Sequence, residues 1–268
     1  MLAYLLDLPD HPLIIFLTLS VGGVALFFLL AGLSYLYFFV LRKGRFHPGY
    51  EADPAENRSA IKWSIIGIVG NAVLIAPIHY YVATGHSQIY YSVADMGWGY
   101  LILSVIMMFV LTETCIYWIH RALHHRLLYN PLHRIHHQYQ KPTSFVGLAF
   151  NPFDSFLQGL PHHISAFLFP LNIWVYLVSL SVVYVWAVMI HDRVSFVRWG
   201  LVNNTGRHTL HHWYYDYNYG QYTTIWDRLC GTHKSPFEGC EEVPEGVLRT
   251  AWLAEESSAA GTPVEAGT

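Results

Sequence analysis

The chain has 268 residues, of which 53% are apolar and only 12% charged, with a mean hydropathy of +0.30 and a formal charge of -3. That balance points to a membrane protein of one domain or two small ones. No basic run exceeds a few residues, which excludes a nucleic-acid partner. Three cysteines, Cys115, Cys230 and Cys240, make no disulfide framework and fit a reducing compartment.

The first apolar run, residues 13–40, is longer than the roughly 20 residues a bilayer requires and too long for a signal-peptide core. Further spans are expected at about 61–83 and 97–119. The fourth apolar region, 164–190, is interrupted at Pro170. The 41–62 loop carries Arg42, Lys43, Arg45, Arg58 and Lys62, whereas the N-terminal segment and the 84–95 loop carry no Lys or Arg. The positive-inside rule then places the 41–62 loop in the cytosol and returns the third span to the cytosol at His120. A single crossing by the fourth region would carry "RHTLHH" (207–212) to the opposite side from the earlier histidines. Residues 155–190 are therefore expected to form a helical hairpin turning near Pro170 and Asn172.

The expected fold is an all-α integral membrane protein. About four transmembrane helices or helical hairpins carry a histidine-rich di-metal helical cap at the cytosolic face. Residues 1–110 supply N-terminal membrane helices, 111–240 the histidine region with its hairpin, and 241–268 a flexible tail.

Seventeen histidines are present, and nine fall into three clusters. His120, His124 and His125 end the third span. His133, His136 and His137 follow on a second helix, with Asn130–Pro131 as the breaker between. His208, His211 and His212 repeat the second cluster's spacing. Residues three and four apart share a helix face, so two imidazoles at that spacing can clasp one ion. Nine nitrogens exceed one tetrahedral ion, and a dinuclear site is the economical solution. All-nitrogen ligation suits zinc, copper, iron or nickel, and a ligand-rich pair beside a membrane favours oxygen activation by iron over hydrolysis by zinc.

Other polar residues extend the list. Glu113 shares a helix face with His120 and His124, and inside a membrane span its expected role is to accept an N–H from a ligating imidazole. A protonated Glu113 bonded to a neighbouring helix is the alternative. His191 and Asp192 end the hairpin on the cluster side, with His191 a tenth candidate ligand; His162 and His163 open the hairpin and are weaker candidates. Trp213, Tyr217, Asn218 and Tyr219 follow the third cluster, where they would rim a substrate slot or form an interfacial aromatic belt. Asp227 and Arg228 are expected to pair, bracing the cluster or receiving an electron donor.

"YWIHRALHH", "LHRIHH", "AFNPFDSFLQGLPHH", "IHD" and "HTLHHWYYDYNYGQYTTIWDRLCGT" occur in order between Tyr117 and Thr232. Together they resemble the fatty acid hydroxylase/sterol desaturase superfamily, and within it the sterol C-5 desaturases, on "NYGQYTTIWDR" and "FLQGLPHH". The resemblance implies two iron ions held by the three clusters, with His191 at a family histidine; zinc is expected to load in purified protein. It implies O2-dependent desaturation of a Δ7 sterol between C5 and C6, with electrons from NAD(P)H through cytochrome b5, a ferredoxin or a similar carrier and its reductase. It places the protein in the endoplasmic reticulum of a eukaryote or the cytoplasmic membrane of a bacterium. Asn151 stands where the family usually has histidine, which bears on substrate. Two alternatives carry the same clusters: a hydroxylase of fatty acyl, ceramide or carotenoid chains, and a membrane zinc hydrolase or metal-binding protein.

Overall fold

A computed structural model describes residues 11–236 apart from 196 and 198; the tail expected at 241–268 lies outside the described residues. Helix α1 (Pro12–Tyr35) runs on through a π-helical turn (Leu36–Leu41) into the short α2 (Lys43–Phe46). Helix α3 covers Pro54–Ala83, and after the two-residue strand β1 (Ile89–Tyr90), α4 covers Val93–Leu123. A π-turn at Tyr129–His133 leads into α5 (Arg134–His137), and a 3-10 turn at Ser144–Leu148 precedes α6 (Pro152–Leu168). Strand β2 (Leu171–Asn172), α7 (Ile173–Met189), α8 (Thr205–Tyr214) and α9 (Ile225–Leu229) complete the order.

Three helix starts share one device, an acceptor side chain just ahead of a proline. His11, Asp53 and Asn151 accept the amides of Leu13, of Ala55 and Glu56, and of Phe153, while Pro12, Pro54 and Pro152 occupy the first helical turn. There the missing proline N–H costs nothing. This cap starts α3 at Pro54, two turns before the apolar stretch near 61. The two-residue β1–β2 ladder leaves the all-helical class unchanged.

The segments Pro12–Leu41, Pro54–Ala83 and Val93–Leu123 are long and apolar enough to cross a membrane. Gly97 breaks the first turn of α4 (φ 79°, ψ 163°), and from residue 98 to 123 the helix spans about 39 Å at 1.5 Å per residue, against about 30 Å of hydrocarbon. That surplus is long enough to carry the last turn of α4, with His120, beyond an apolar layer of that thickness. The chain then reverses at residues 124–128, earlier than Asn130–Pro131. Pro131 sits inside the following π-turn, where a helix start tolerates it.

Helices α6 and α7 run out from the histidines and back to them. Asp154, in the first turn of α6, bonds to His133, and His191, just past α7, lies among the clustered histidines. The reversal falls at residues 169–172, where β2 pairs in parallel with β1, Ile89 opposite Leu171 and Tyr90 opposite Asn172. The hairpin tip is thus fixed to the α3–α4 connection, at the end of the molecule away from the histidines. An apolar core of Val82, Met108, Leu171 and Tyr176 fills that end. The outward faces are apolar as well: Val21, Leu33, Val110 and Val178 are each more than half exposed.

Close helix approach is set by glycine. A Cβ on Gly147 would lie 2.6 Å from the Ala187 carbonyl and 2.9 Å from Val188 Cα, both backbone atoms that cannot rotate away. Gly147→Ala is therefore expected to destabilise the purified protein by about 1–3 kcal/mol. Gly32→Ala, where nothing lies within 4 Å, should not destabilise it. Thermal unfolding in detergent checks both.

Candidate metal centre

The clusters gather from α4, α5, α8 and the end of α7 into two adjacent groups. His120, His124, His133, His137 and His211 form one; His136, His191, His208 and His212 form the other, and within each group the nearest nitrogens lie within 4.8 Å of one another. The division cuts across the sequence clusters. Pairs four residues apart (120/124, 133/137, 208/212) each serve one group. The histidine three residues on from the first of a pair, His136 or His211, serves the other. Helix geometry explains this: at about 100° per residue, positions three and four further on diverge by one such step.

In the first group His120, His124 and His211 each bury an Nε2 with no hydrogen-bond partner. In the second, His191 Nε2 approaches His208 Nε2 to 2.8 Å and those of His136 and His212 to 3.2 Å. Neutral imidazoles cannot all satisfy one another in such a convergence, because each pair needs one donor and one acceptor. A shared cation satisfies every nitrogen at once. The donor set, nitrogen only and in two groups, fits two transition-metal ions.

The opposite ring nitrogens are held from behind. His133 Nδ1 donates to the fully buried Asp154 at 2.7 Å, His211 Nδ1 to the Tyr217 carbonyl at 2.7 Å, His120 Nδ1 to the Tyr219 carbonyl at 3.0 Å, and His191 Nδ1 to the Ala187 carbonyl at 2.6 Å. These bonds turn Nε2 inward in each ring. Burial, and then repulsion from neighbouring imidazoles, holds His136, His137, His208, His211 and His212 well below the ordinary histidine pKa. Burial lowers His191 to about 4. All are neutral near pH 7, the form that ligates.

Several expected residues have other places. His125 stands outside both groups: α4 has ended, the chain is turning, and the exposed ring accepts the Leu127 amide. Glu113 accepts no imidazole N–H. Its carboxylate takes the amides of Tyr222 and Thr223 and the Thr223 hydroxyl, tying α4 to the loop before α9. Asp192 accepts the Val194 amide and bonds Ser34, bracing the turn after α7. His162 and His163 belong to neither group; they lie deeper along α6, where His163 Nδ1 meets the Tyr176 hydroxyl at 2.8 Å. Asn151 caps α6. Asp227 and Arg228 do not pair: Asp227 accepts the amides of Tyr219 and Gly220, and Arg228 donates to Thr224 and the Gly200 carbonyl.

Asp227 thereby fixes the loop whose carbonyls orient His120 and His211. Asn218, with a left-handed φ of 59°, binds the Arg207 and Lys234 carbonyls in the same loop. The Tyr219 ring packs on His120, His124 and His211, and Trp213 is half-buried at the end of α8. Asp154 was not singled out from sequence. Its signal was available, since it is the only acidic residue in "AFNPFDSFLQGLPHH".

A cavity of about 540 Å³ leads away from the centre between α1, α3, α6 and α7. His120, His136, His191 and His208 form its inner wall. Leu26, Leu29, Leu180 and Val183 give its flanks an apolar character. The volume lies within the range of small-molecule sites.

Three membrane-length helices and two histidine groups able to hold metal ions, set at the inner wall of an apolar cavity, define the class. Residues 105–232 match the Fatty acid hydroxylase family. The chain is 39% identical over 229 residues to human lathosterol oxidase, covering 82% of this chain and 75% of that one. It is 36% identical over 242 residues to the Delta(7)-sterol 5(6)-desaturase of Schizosaccharomyces pombe, covering 90% and 72%. No solved structure gives a significant match. The chain belongs to the fatty acid hydroxylase family, as an oxidoreductase of the sterol C-5 desaturase-like kind.

The grouping predicts that adjacent histidines report on different ions. His137→Ala/His211→Ala and His136→Ala/His208→Ala should each remove about one ion per chain, whereas the cross-group pair His137→Ala/His208→Ala should weaken both. Metal content by mass spectrometry distinguishes the cases. The depressed histidine pKa values also set a pH dependence for the metal-free protein. Unfolded histidines take up protons below about pH 6.5 while the buried ones do not. Thermal stability should be flat above that pH and fall as pH drops below it.

Proposed function

We propose that this chain is a membrane-bound, O2-dependent sterol C-5 desaturase that removes one hydrogen from C5 and one from C6 of a Δ7 sterol. The product is a Δ5,7-diene. The balance is complete when the substrate gives up two electrons and two protons, a carrier supplies two more electrons, water supplies two protons, and O2 leaves as two waters. The external electrons come from NAD(P)H through a reductase and cytochrome b5, a ferredoxin-type protein or a similar small carrier. The observation that carries this reading is the pair of inward-facing histidine groups forming the inner wall of an apolar cavity.

His120, His124, His133, His137 and His211 would hold one iron, and His136, His191, His208 and His212 the other. Two iron ions supply O2 binding and the one-electron chemistry that breaks an unactivated C–H bond; zinc, which the same nitrogens bind, supplies neither. The chain's own task is positioning. The Leu26, Leu29, Leu180 and Val183 side chains exclude water and hold a rigid apolar skeleton against the histidine wall. Asp154 and the Tyr217, Tyr219 and Ala187 carbonyls keep the imidazoles aimed.

With α6 and α7 taken as a membrane hairpin beside α1, α3 and α4, the count is about four spans or hairpins. The basic 41–62 loop puts the histidine end in the cytosol. The compartment is the endoplasmic reticulum in a eukaryote and the cytoplasmic membrane in a bacterium.

Expression in yeast lacking its own sterol C-5 desaturase, with sterols profiled by mass spectrometry, tests the proposal. Δ5,7-sterols should appear in an O2-dependent manner and vanish in the His211→Ala variant. Stable membrane expression with a working electron donor and no Δ5,7-sterol would overturn it. A hydroxylated lipid in place of the diene would mark a hydroxylase of the same family, and turnover without O2 a zinc hydrolase.

A further inference from the structure

The flanks of the cavity are apolar, but α6 lines it with a polar stripe, Ser155, Gln158 and His162. These positions recur every three or four residues, so they share one helix face. Gln158 is the member tied to the metal centre. Its Nε2 donates to Asp154 Oδ1 at 2.7 Å, and Asp154 Oδ2 accepts from His133 Nδ1 at 2.7 Å. A carboxylate only accepts, so the amide orientation is settled: the nitrogen faces Asp154 and Oε1 is left over. Among the described residues no protein group donates to Oε1, while the residue lines the cavity. An acceptor in an apolar cavity is costly until a donor reaches it.

We infer that Gln158 Oε1 accepts a hydrogen bond from the substrate's 3-hydroxyl and so selects 3-hydroxysterols and sets which carbons face the histidines. This rests on the sterol reading above. Distance decides between Gln158 and His162. The C3 oxygen of a sterol is three bonds from C5 and four from C6, hence within about 6 Å of either carbon. Asp154 marks the level of His133 on α6; Gln158 lies one turn on, about 6 Å of rise, and His162 two turns on, about 12 Å. Gln158 also reaches back to the Asp154 carboxylate. With C5 and C6 against the histidines, Gln158 is within reach of the hydroxyl and His162 is not. Gln158 acts as a positioning residue, since the reacting carbons lie beyond it.

Binding measures this without turnover. The purified full-length protein in nanodiscs is titrated with three Δ7 sterols that differ only at C3: the alcohol, the ketone and the 3-deoxy hydrocarbon. A lone acceptor demands a donor, so the alcohol should bind about tenfold more tightly than either, and ketone and hydrocarbon should be alike. Ketone binding equal to the alcohol would overturn the inference, because it would require a protein donor instead. In Gln158→Met the preference should fall to about one. A role limited to bracing Asp154 would weaken all three sterols together and leave the preference intact, which would also overturn it. Collapse of the preference in His162→Phe but not in Gln158→Met would move the hydroxyl to the deeper position and overturn it as well. If wild-type protein binds none of the three, the sterol reading itself fails. If it binds the alcohol without preference, only the Gln158 assignment fails.

Discussion

Nine imidazoles whose nitrogens converge on two points are the constraint on which the rest of this structure depends. Without cations the arrangement is frustrated. The nitrogens are buried, too numerous to pair with one another, and too close together to protonate. Each further proton would place a charge in a desolvated site already crowded by other rings. His136, His137, His208, His211 and His212 are held neutral by burial among other rings, and neutrality is what makes an imidazole a ligand. The same crowding that penalises the metal-free site favours the metal-bound one, so folding and metal binding are linked.

Holding that convergence requires a rigid frame, and the frame is built in two layers. The inner layer is the set of acceptors behind the rings: the Asp154 carboxylate and the carbonyls of Tyr217, Tyr219 and Ala187. The outer layer fixes those acceptors. Asp227 binds the Tyr219 and Gly220 amides and also accepts the Thr232 hydroxyl. Glu113 reaches from α4 to the Tyr222 and Thr223 amides, so the loop is anchored to the helix that also delivers His120. Both acids therefore accept from backbone amides and threonine hydroxyls rather than from histidines. Among the described residues Asp154 alone makes a direct carboxylate–imidazole bond, and through Gln158 it also touches the cavity.

The histidine spacing made the site's existence legible from sequence, because i, i+3 and i+4 patterns carry helix geometry with them. The distribution between ions was not legible. It follows from the roughly 100° between neighbouring helical positions and from the way α5 and α8 face one another, which is tertiary information. His125 was misleading for the converse reason. It extends a cluster in sequence, but α4 ends at Leu123: His124, the αR cap, still follows the helical face, whereas at His125 the chain is already turning away. Glu113 illustrates a further limit: sharing a face with His120 identified the correct side of α4, yet the nearest donors came from residues about 110 positions later. The hairpin was legible through a topological argument, that separated clusters need a common side, more than through any local signal at Pro170.

The cavity gives that topology its physical sense. Among the three helices long enough to cross a membrane, α1 and α3 line the cavity, and its enclosure is completed by α6 and α7. Because the hairpin begins and ends at the metal end and is pinned to the α3–α4 connection at its tip, both of its helices run the length of the cavity. One of them, α6, can then carry a polar stripe inside an apolar enclosure, since its other faces are packed on α3 and α4. A ligand in this space meets nitrogen at one end, hydrocarbon on its flanks and a graded row of polar groups along one edge. An amphipathic, rigid molecule with a single hydroxyl near its reactive carbons matches that distribution better than a uniform acyl chain, which would leave the Gln158 acceptor unsatisfied. The polar stripe thus adds to the histidines a chemical argument for the proposed sterol substrate.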